Sequence, residues 1–239
     1  MSRSAIIAAV FSLAMAALFA RLGVWQIHRL GERRALNAEL VSRLKFAPAS
    51  PAALPSDTAL ASYRRVKLSG RYDFDHQIIL TGRSRQGAPG VYLVTPLIPD
   101  SGGPAVLVNR GWVYSPDAAT ISVRTWNEPE HATVEGYARP IPVRDGPDPR
   151  NSSNPMAWQA LDSARVAEAL PYPVGRMYVV DLLPGDRTLG APTRLSLPSL
   201  DEGPHKNYAI QWFTFAAIAL YGVAYLIWLE RGKRRAARG

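Results

Sequence analysis

The chain has 239 residues, room for one ordinary domain or a smaller one with attachments, and its 28 Lys and Arg against 19 Asp and Glu give a formal charge of +9. It has no cysteine, which excludes disulfide frameworks, cysteine-based zinc sites, thiolate nucleophiles, covalent c-type haem attachment and iron–sulfur ligation. The mean hydropathy of −0.07 resembles that of a soluble protein, but it averages two strongly apolar ends with a polar middle, the distribution of a membrane protein.

Ser4–Ala20 (SAIIAAVFSLAMAALFA) carries no charge. Arg21 can snorkel, and the apolar run then reaches an interfacial aromatic at Trp25. Residues 4–25 are therefore expected to form a first transmembrane helix. A cleaved signal peptide is the alternative, but cleavage after Ala20 would put Leu18 where a small residue is wanted, so the anchor is favoured. Residues 26–46 read as a helical extension, with Leu36, Leu40 and Leu44 repeating at helical spacing, and 47–62 (containing APASPAALPS) as a linker.

All 20 prolines lie between Pro48 and Pro204, which excludes long helices there and favours short strands and turns. Strand-like runs fall at Tyr63–Arg71, Gln77–Thr81, Val91–Ile98, Ala105–Val113, Thr133–Arg139 and Met177–Leu183, with one short helix at Asp162–Leu170 capped by Asp162 or Ser163. Residues 63–204 are expected to form a β-rich domain, an antiparallel sheet or barrel. Tyr208–Leu229 then runs without charge or proline and has aromatics near both ends, so 205–229 reads as a second transmembrane helix. The predicted class is an α+β membrane protein with two transmembrane helices flanking that domain.

The tail, 230–239, holds five Lys and Arg against one Glu, which predicts a cytoplasmic C-terminus lying against lipid headgroups. With two spans, the N-terminus is also cytoplasmic and the middle lies outside. That middle carries 22 basic against 18 acidic residues, so nucleic acid is not an expected partner.

Catalytic motifs are missing: the sequence has no P-loop, dinucleotide fingerprint, His-Glu-x-x-His or Gly-x-Ser-x-Gly. Asp73, Asp75 and His76 form at best a weak metal reading, a solvated turn being the simpler one. Near the second span, His205, Tyr208 and Trp212 share a helix face, where an imidazole beside aromatic rings suits either a macrocycle ligand or plain interfacial anchoring. Arg110, followed by Gly111 and Trp112, is placed either to clamp a carboxylate or phosphate or to pair with a neighbouring acid. Trp25 and Arg29 share a face at i, i+4, and Trp158 and Asp162 read as packing and a helix cap.

Four stretches resemble the surfeit-locus cytochrome oxidase assembly family, in the family's order: WQIHR after the first span, PGVYLVTPLI before AVLVNRGWV, NSSNPMAWQALD, and HKNYAIQWF at the second span. The resemblance covers about residues 21–229. It implies a non-enzymatic assembly factor for a haem–copper terminal oxidase in the bacterial inner membrane, its central domain periplasmic. Its partners would be the oxidase catalytic subunit, a haem a synthase and membrane lipid. Transient haem a binding is implied, with His205 as the possible iron ligand, Arg110 pairing with a propionate, and Trp112, Tyr208 and Trp212 lining the ring. Trp25 and Arg29 would serve an interface. A cofactor-free scaffold holding an oxidase subunit or another factor is the alternative. Pro204 predicts an extended or turn geometry just before His205.

Overall fold

The structure, a computed structural model, describes residues 2–181 and 191–236. It divides into two compact units, one formed by residues up to Glu39 with those from Ser199 onward, the other by Leu40–Pro198. In chain order the elements are α1 (Arg3–Lys45), a 3-10 turn at Pro51–Ala53, α2 (Thr58–Ala61), β1 (Arg65–Tyr72), β2 (Ile78–Arg85), β3 (Ala88–Pro99) and β4 (Ala105–Tyr114). A second 3-10 turn (Val123–Trp126) leads to β5 (His131–Pro140), β6 (Arg150–Asn151), β7 (Asn154–Trp158), α3 (Ser163–Ala169), β8 (Val174–Asp181) and α4 (His205–Ala236).

The first unit is an antiparallel helix pair. Both helices are long and apolar enough to cross a membrane. Small residues predominate on their contact side: Ala5, Ala9, Ala16 and Gly23 on α1, joined by Gln26 and Leu30, and Ala209, Ala216 and Val223 on α4. The sevenfold spacing of 9, 16, 23 and of 209, 216, 223 is the period of a left-handed supercoil, and small residues let the backbones approach closely. A Cβ on Gly23 would lie 2.8 Å from the Phe213 ring. Large apolar side chains point outward instead, among them Ile6, Ile7, Val10 and Phe11 on α1 and Ile210, Ile218 and Leu220 on α4. A soluble helix pair would do the reverse, burying the large residues and exposing charge.

The second unit is built on a closed five-strand barrel in the order β1-β5-β8-β4-β3, with β3 returning to β1 through Gly70↔Pro99, Arg71↔Ile98 and Tyr72↔Leu97. Every pairing in the ring is antiparallel except β4–β8. β2 extends the sheet beyond the ring, followed by the short parallel β7 and then β6. The β2–β3 turn has Gln86 and Gly87 both at positive φ, the requirement of a tight twisted hairpin.

Burial follows position in the sheet. β1 alternates strictly, one face in the barrel and one towards water, whereas β4 is buried on both faces over Ala105–Gly111. Val66, Leu68, Leu97, Val106, Val108, Val134 and Val179 fill the barrel. A second core, with Ile78, Leu80, Val94, Leu107 and Trp158, lies on the sheet's outer face under Val166 of α3. Each such fully buried aliphatic contributes about 1.5–3 kcal/mol.

The segment expected as a linker is laid on the barrel. Ala49 bridges to β1, donating to the Arg65 carbonyl and accepting from Lys67 N, each at 3.0 Å, and Leu54 packs against the barrel core. Proline blocks regular structure here, but it does not prevent docking. The end of the last expected strand, residues 182–183, lies outside the described residues.

Candidate functional site

His205 opens α4, and its approach is fastened to α1. Arg34 forms a two-pronged pair with Glu202 (2.8 and 2.9 Å), Arg33 donates to the Asp201 carbonyl and Asn37 to the Leu200 carbonyl. Their mutual hydrogen bond raises the Arg34 guanidinium above its ordinary value and lowers the Glu202 carboxyl. Gly203 takes φ +72°, and the Pro204 carbonyl accepts from Tyr208 N at 3.0 Å. The expected turn geometry before the helix is thus what aims His205.

The half-buried His205 ring meets Gln26 of α1, with Nδ1 and Oε1 2.8 Å apart. An amide oxygen only accepts, so Nδ1 is the donor here, and in the neutral ring the lone pair then lies on Nε2. Gln26 is 8 % exposed, and sequence reasoning gave it no function although it stands in the quoted WQIHR stretch. Its signal was the heptad: 5, 12, 19 and 26 form the companion row to 9, 16 and 23. His205 and Trp212 are likewise seven apart. Trp212 stacks on Phe19 of α1 at 5.8 Å and meets Phe215 edge-on at 5.9 Å. Tyr208 is 46 % exposed on the flank of this row. Trp25 is exposed, and Arg29 pairs with Glu32 at 2.5 Å on the same helix.

Arg110 and Trp112 belong to the other unit. In the β3–β4 ladder Leu93 faces Gly111 and Val94 faces Asn109, so Arg110 is the extra residue of a bulge, which re-aims a side chain. Its side chain is fully buried. Nε donates to Thr95 Oγ1 (2.9 Å), Nη2 to Gln77 Oε1 (2.7 Å), and Nη1 to the Trp126 carbonyl (2.7 Å) and Glu128 (3.1 Å). The Phe74 and Tyr72 rings lie 5.0 and 5.6 Å from the guanidinium. Glu128 also takes Arg194, at 2.5 Å. Burial draws the Arg110 guanidinium below its ordinary value, while Glu128 pushes it back up. Of the two sequence readings, the ion pair with a neighbouring acid is the one built. Glu128 holds the place in which a propionate would pair with this guanidinium. Gly111 takes φ +132°, and a Cβ there would lie 2.3 Å from the Thr193 carbonyl. Trp112 forms a two-way backbone bridge with Thr193, both bonds 2.8 Å, and its buried Nε1 has no partner among the described residues.

Asp73 and His76 are joined through Oδ2 and Nδ1 at 2.7 Å, and Tyr172 donates to the same Asp73 oxygen at 2.6 Å. No group of three metal-ligating side chains occurs among the described residues. Trp158 is buried, its Nε1 donating to the Pro155 carbonyl, and Asp162 caps α3 by accepting from Arg165 N.

Among known proteins, the chain is similar to a SURF1-like protein of Mycobacterium tuberculosis, 28% identical over 240 residues covering 92% of this chain and 82% of that protein. It is 28% identical to Surfeit locus protein 1 of Takifugu rubripes, over 84% of this chain and 88% of the fish protein. It is also 28% identical to the cytochrome oxidase assembly protein SHY1 of Saccharomyces cerevisiae, over 66% of this chain and 43% of the yeast protein. The model of the SURF1 family matches residues 13–217, which takes in α1 from residue 13 onward, the whole barrel and the first part of α4. With a match of that extent, the chain belongs to the SURF1 family.

Proposed function

We propose that this chain is an assembly factor for a haem–copper terminal oxidase in the bacterial inner membrane, aiding haem a insertion into the catalytic subunit. Both termini are cytoplasmic in this reading and the barrel is periplasmic. A haem a synthase and the oxidase catalytic subunit are its partners, with lipid around the helix pair. The printed name of the yeast relative supports the oxidase client.

The observation that carries the haem reading is the His205–Gln26 hydrogen bond at 2.8 Å. It fixes the imidazole tautomer from the ring nitrogen remote from the ligand, as partners of metal-bound histidines do. His205 would supply Nε2 to the iron, and Tyr208 and Trp212 would offer ring surfaces. When bound, haem a supplies the redox-active iron that the finished oxidase needs. Arg110 and Trp112 have work inside their own domain, so the reading rests on the helix-pair residues.

The test is an optical spectrum of detergent-purified protein from cells that make haem a, beside His205→Ala and Gln26→Leu. A haem band in the wild type, lost in the first variant and weakened in the second, is the expected result. Colourless wild-type protein that still co-purifies with oxidase subunits would replace this reading with the cofactor-free scaffold.

A further inference from the structure

We propose that a polar cavity on the outer face of the barrel sheet binds a small organic anion through its carboxylate or phosphate group. The site lies wholly within the barrel unit and does not depend on the assembly reading above.

The cavity has a volume of about 290 Å³ and is lined by Arg83, Tyr92, Asn109, Tyr137, Arg139 and Tyr178, over an apolar floor of Leu80, Val180 and Leu195. That is the low end of ligand-site volumes, room for a small molecule or one end of a larger one. The ladder brings the lining together: Arg139 faces Tyr178 and Tyr137 faces Val180 across β5–β8, Asn109 faces Val180 across β4–β8, and Leu80 faces Tyr92 across β2–β3. Two bulges adjoin it, one in β2 between Leu80 and Arg83, with Gly82 at φ +68°, and one in β4 just after Asn109. Bulges of this kind re-aim side chains beside functional sites.

The chemistry of the lining is one-sided. Two guanidiniums face the cavity, and no carboxylate is among the described residues that line it. Among the described residues Arg83 donates only to the Gln159 carbonyl (2.8 Å) and its buried Nε has no partner; the guanidinium stands 5.7 Å from the Tyr92 ring. Arg139 donates to the Tyr63 hydroxyl (2.8 Å) and lies 4.9 Å over that ring. Neither forms an ion pair among the described residues. Asn109 is 3 % exposed, and its Oδ1 accepts from Gly111 N at 3.1 Å. That bond sets the amide's orientation and leaves the NH2 group, which bonds to no described residue, for the cavity.

The hydroxyls of Tyr92, Tyr137 and Tyr178 likewise bond to no described residue. Burial pushes the Tyr137 hydroxyl up to about 12, and it raises Tyr178 too. Both therefore stay protonated and act as donors at neutral pH. Of these donors the Arg83 Nε is buried without a partner among the described residues, which costs about 1–3 kcal/mol, and an oxyanion accepts from guanidinium, amide and phenol together. Water alone satisfies the donors but leaves the two positive charges unpaired.

Calorimetric titration of the detergent-purified full chain tests this, using benzoate, phenyl phosphate and inorganic phosphate, with benzyl alcohol as the neutral comparison. Saturable binding of at least one anion, in about the millimolar range or tighter, is expected. A preference for benzoate assigns the carboxylate, and a preference for either phosphate assigns the phosphate. Asn109→Asp keeps the shape and the bond to Gly111 but brings a carboxylate into the cavity; it should weaken anion binding at least about tenfold. Arg83→Gln, at a half-exposed position, provides the same readout if Asn109→Asp does not fold. Benzyl alcohol bound as well as benzoate, no saturable anion binding, or unchanged affinity in a folded variant would each overturn the site.

Discussion

Glu128 is a nearly buried carboxylate shared by two guanidiniums, and its surroundings show why Arg110 sits where it does. The bulge at Arg110 turns its long side chain inward, where Gln77, Thr95 and the Trp126 carbonyl complete the shell. Removing one partner of such a group leaves charge buried without compensation, so Arg110→Ala should lose about 3–5 kcal/mol in urea unfolding. A loss under about 1 kcal/mol would mean that Arg194 holds Glu128 unaided. The strand carrying Arg110 was legible in the sequence, but its acid was not, because Glu128 lies in an irregular stretch whose fold no periodicity reveals. Gln26 was missed for a different reason: in an apolar helix it reads as tolerated polarity until the seam is drawn. Asp73 gives a pH signature. Burial pushes its carboxyl up, but hydrogen bonds from Tyr172 and His76 outweigh this and hold it below its ordinary 3.8. A depressed native value contributes stability that is full above the ordinary value and lost as pH falls through the native one. Asp73→Asn should therefore be less stable than wild type at pH 7, with the gap closing below about pH 4. Parallel curves for the two proteins from pH 7 to 2 would rule out this linkage.

Elements were readable to the extent that their pattern is local. β1, β3, β4 and β5 announce themselves by alternation or a continuous apolar run, and α3 by its Asp162 cap. β2 runs on to Arg85, past the expected end at Thr81, because the hairpin turn carries its polar half along β3. β6 and β7 stayed hidden: two and five residues, one of them Pro155, are too few to show a period. The parallel β4–β8 pairing that completes the ring depends on partners far apart in sequence, which no local window contains. The helix pair is the reverse case, since its sevenfold row of small residues is present in the sequence. Gln26 meeting His205, Phe19 meeting Trp212 and Ser2 meeting Glu230 set an antiparallel register that brings Ala16 opposite Ala216. The chain lacks cysteine, so the double variant Ala16→Cys, Ala216→Cys tests that register cleanly. Mild oxidation should give an intramolecular disulfide, seen as a faster-migrating band that reductant reverses. Intermolecular dimers alone would contradict the seam.

For the molecule as a whole, the units divide the work. The barrel spends its buried arginine on its own architecture, and the helix pair holds an imidazole whose Nδ1 is bonded to Gln26. The apolar outer faces of α1 and α4 suit a lipid environment, and family membership rests on a match that runs through both units. Oxidase assembly is the claim that joins these facts. It is tested most directly by measuring haem a content and cytochrome oxidase activity in membranes from the source organism lacking this chain, and after restoring wild type or His205→Ala at equal membrane abundance. The account predicts that both quantities fall in the deletion, return with wild type, and stay low with His205→Ala. Unchanged oxidase activity in the deletion, with haem a at its normal level, would contradict it.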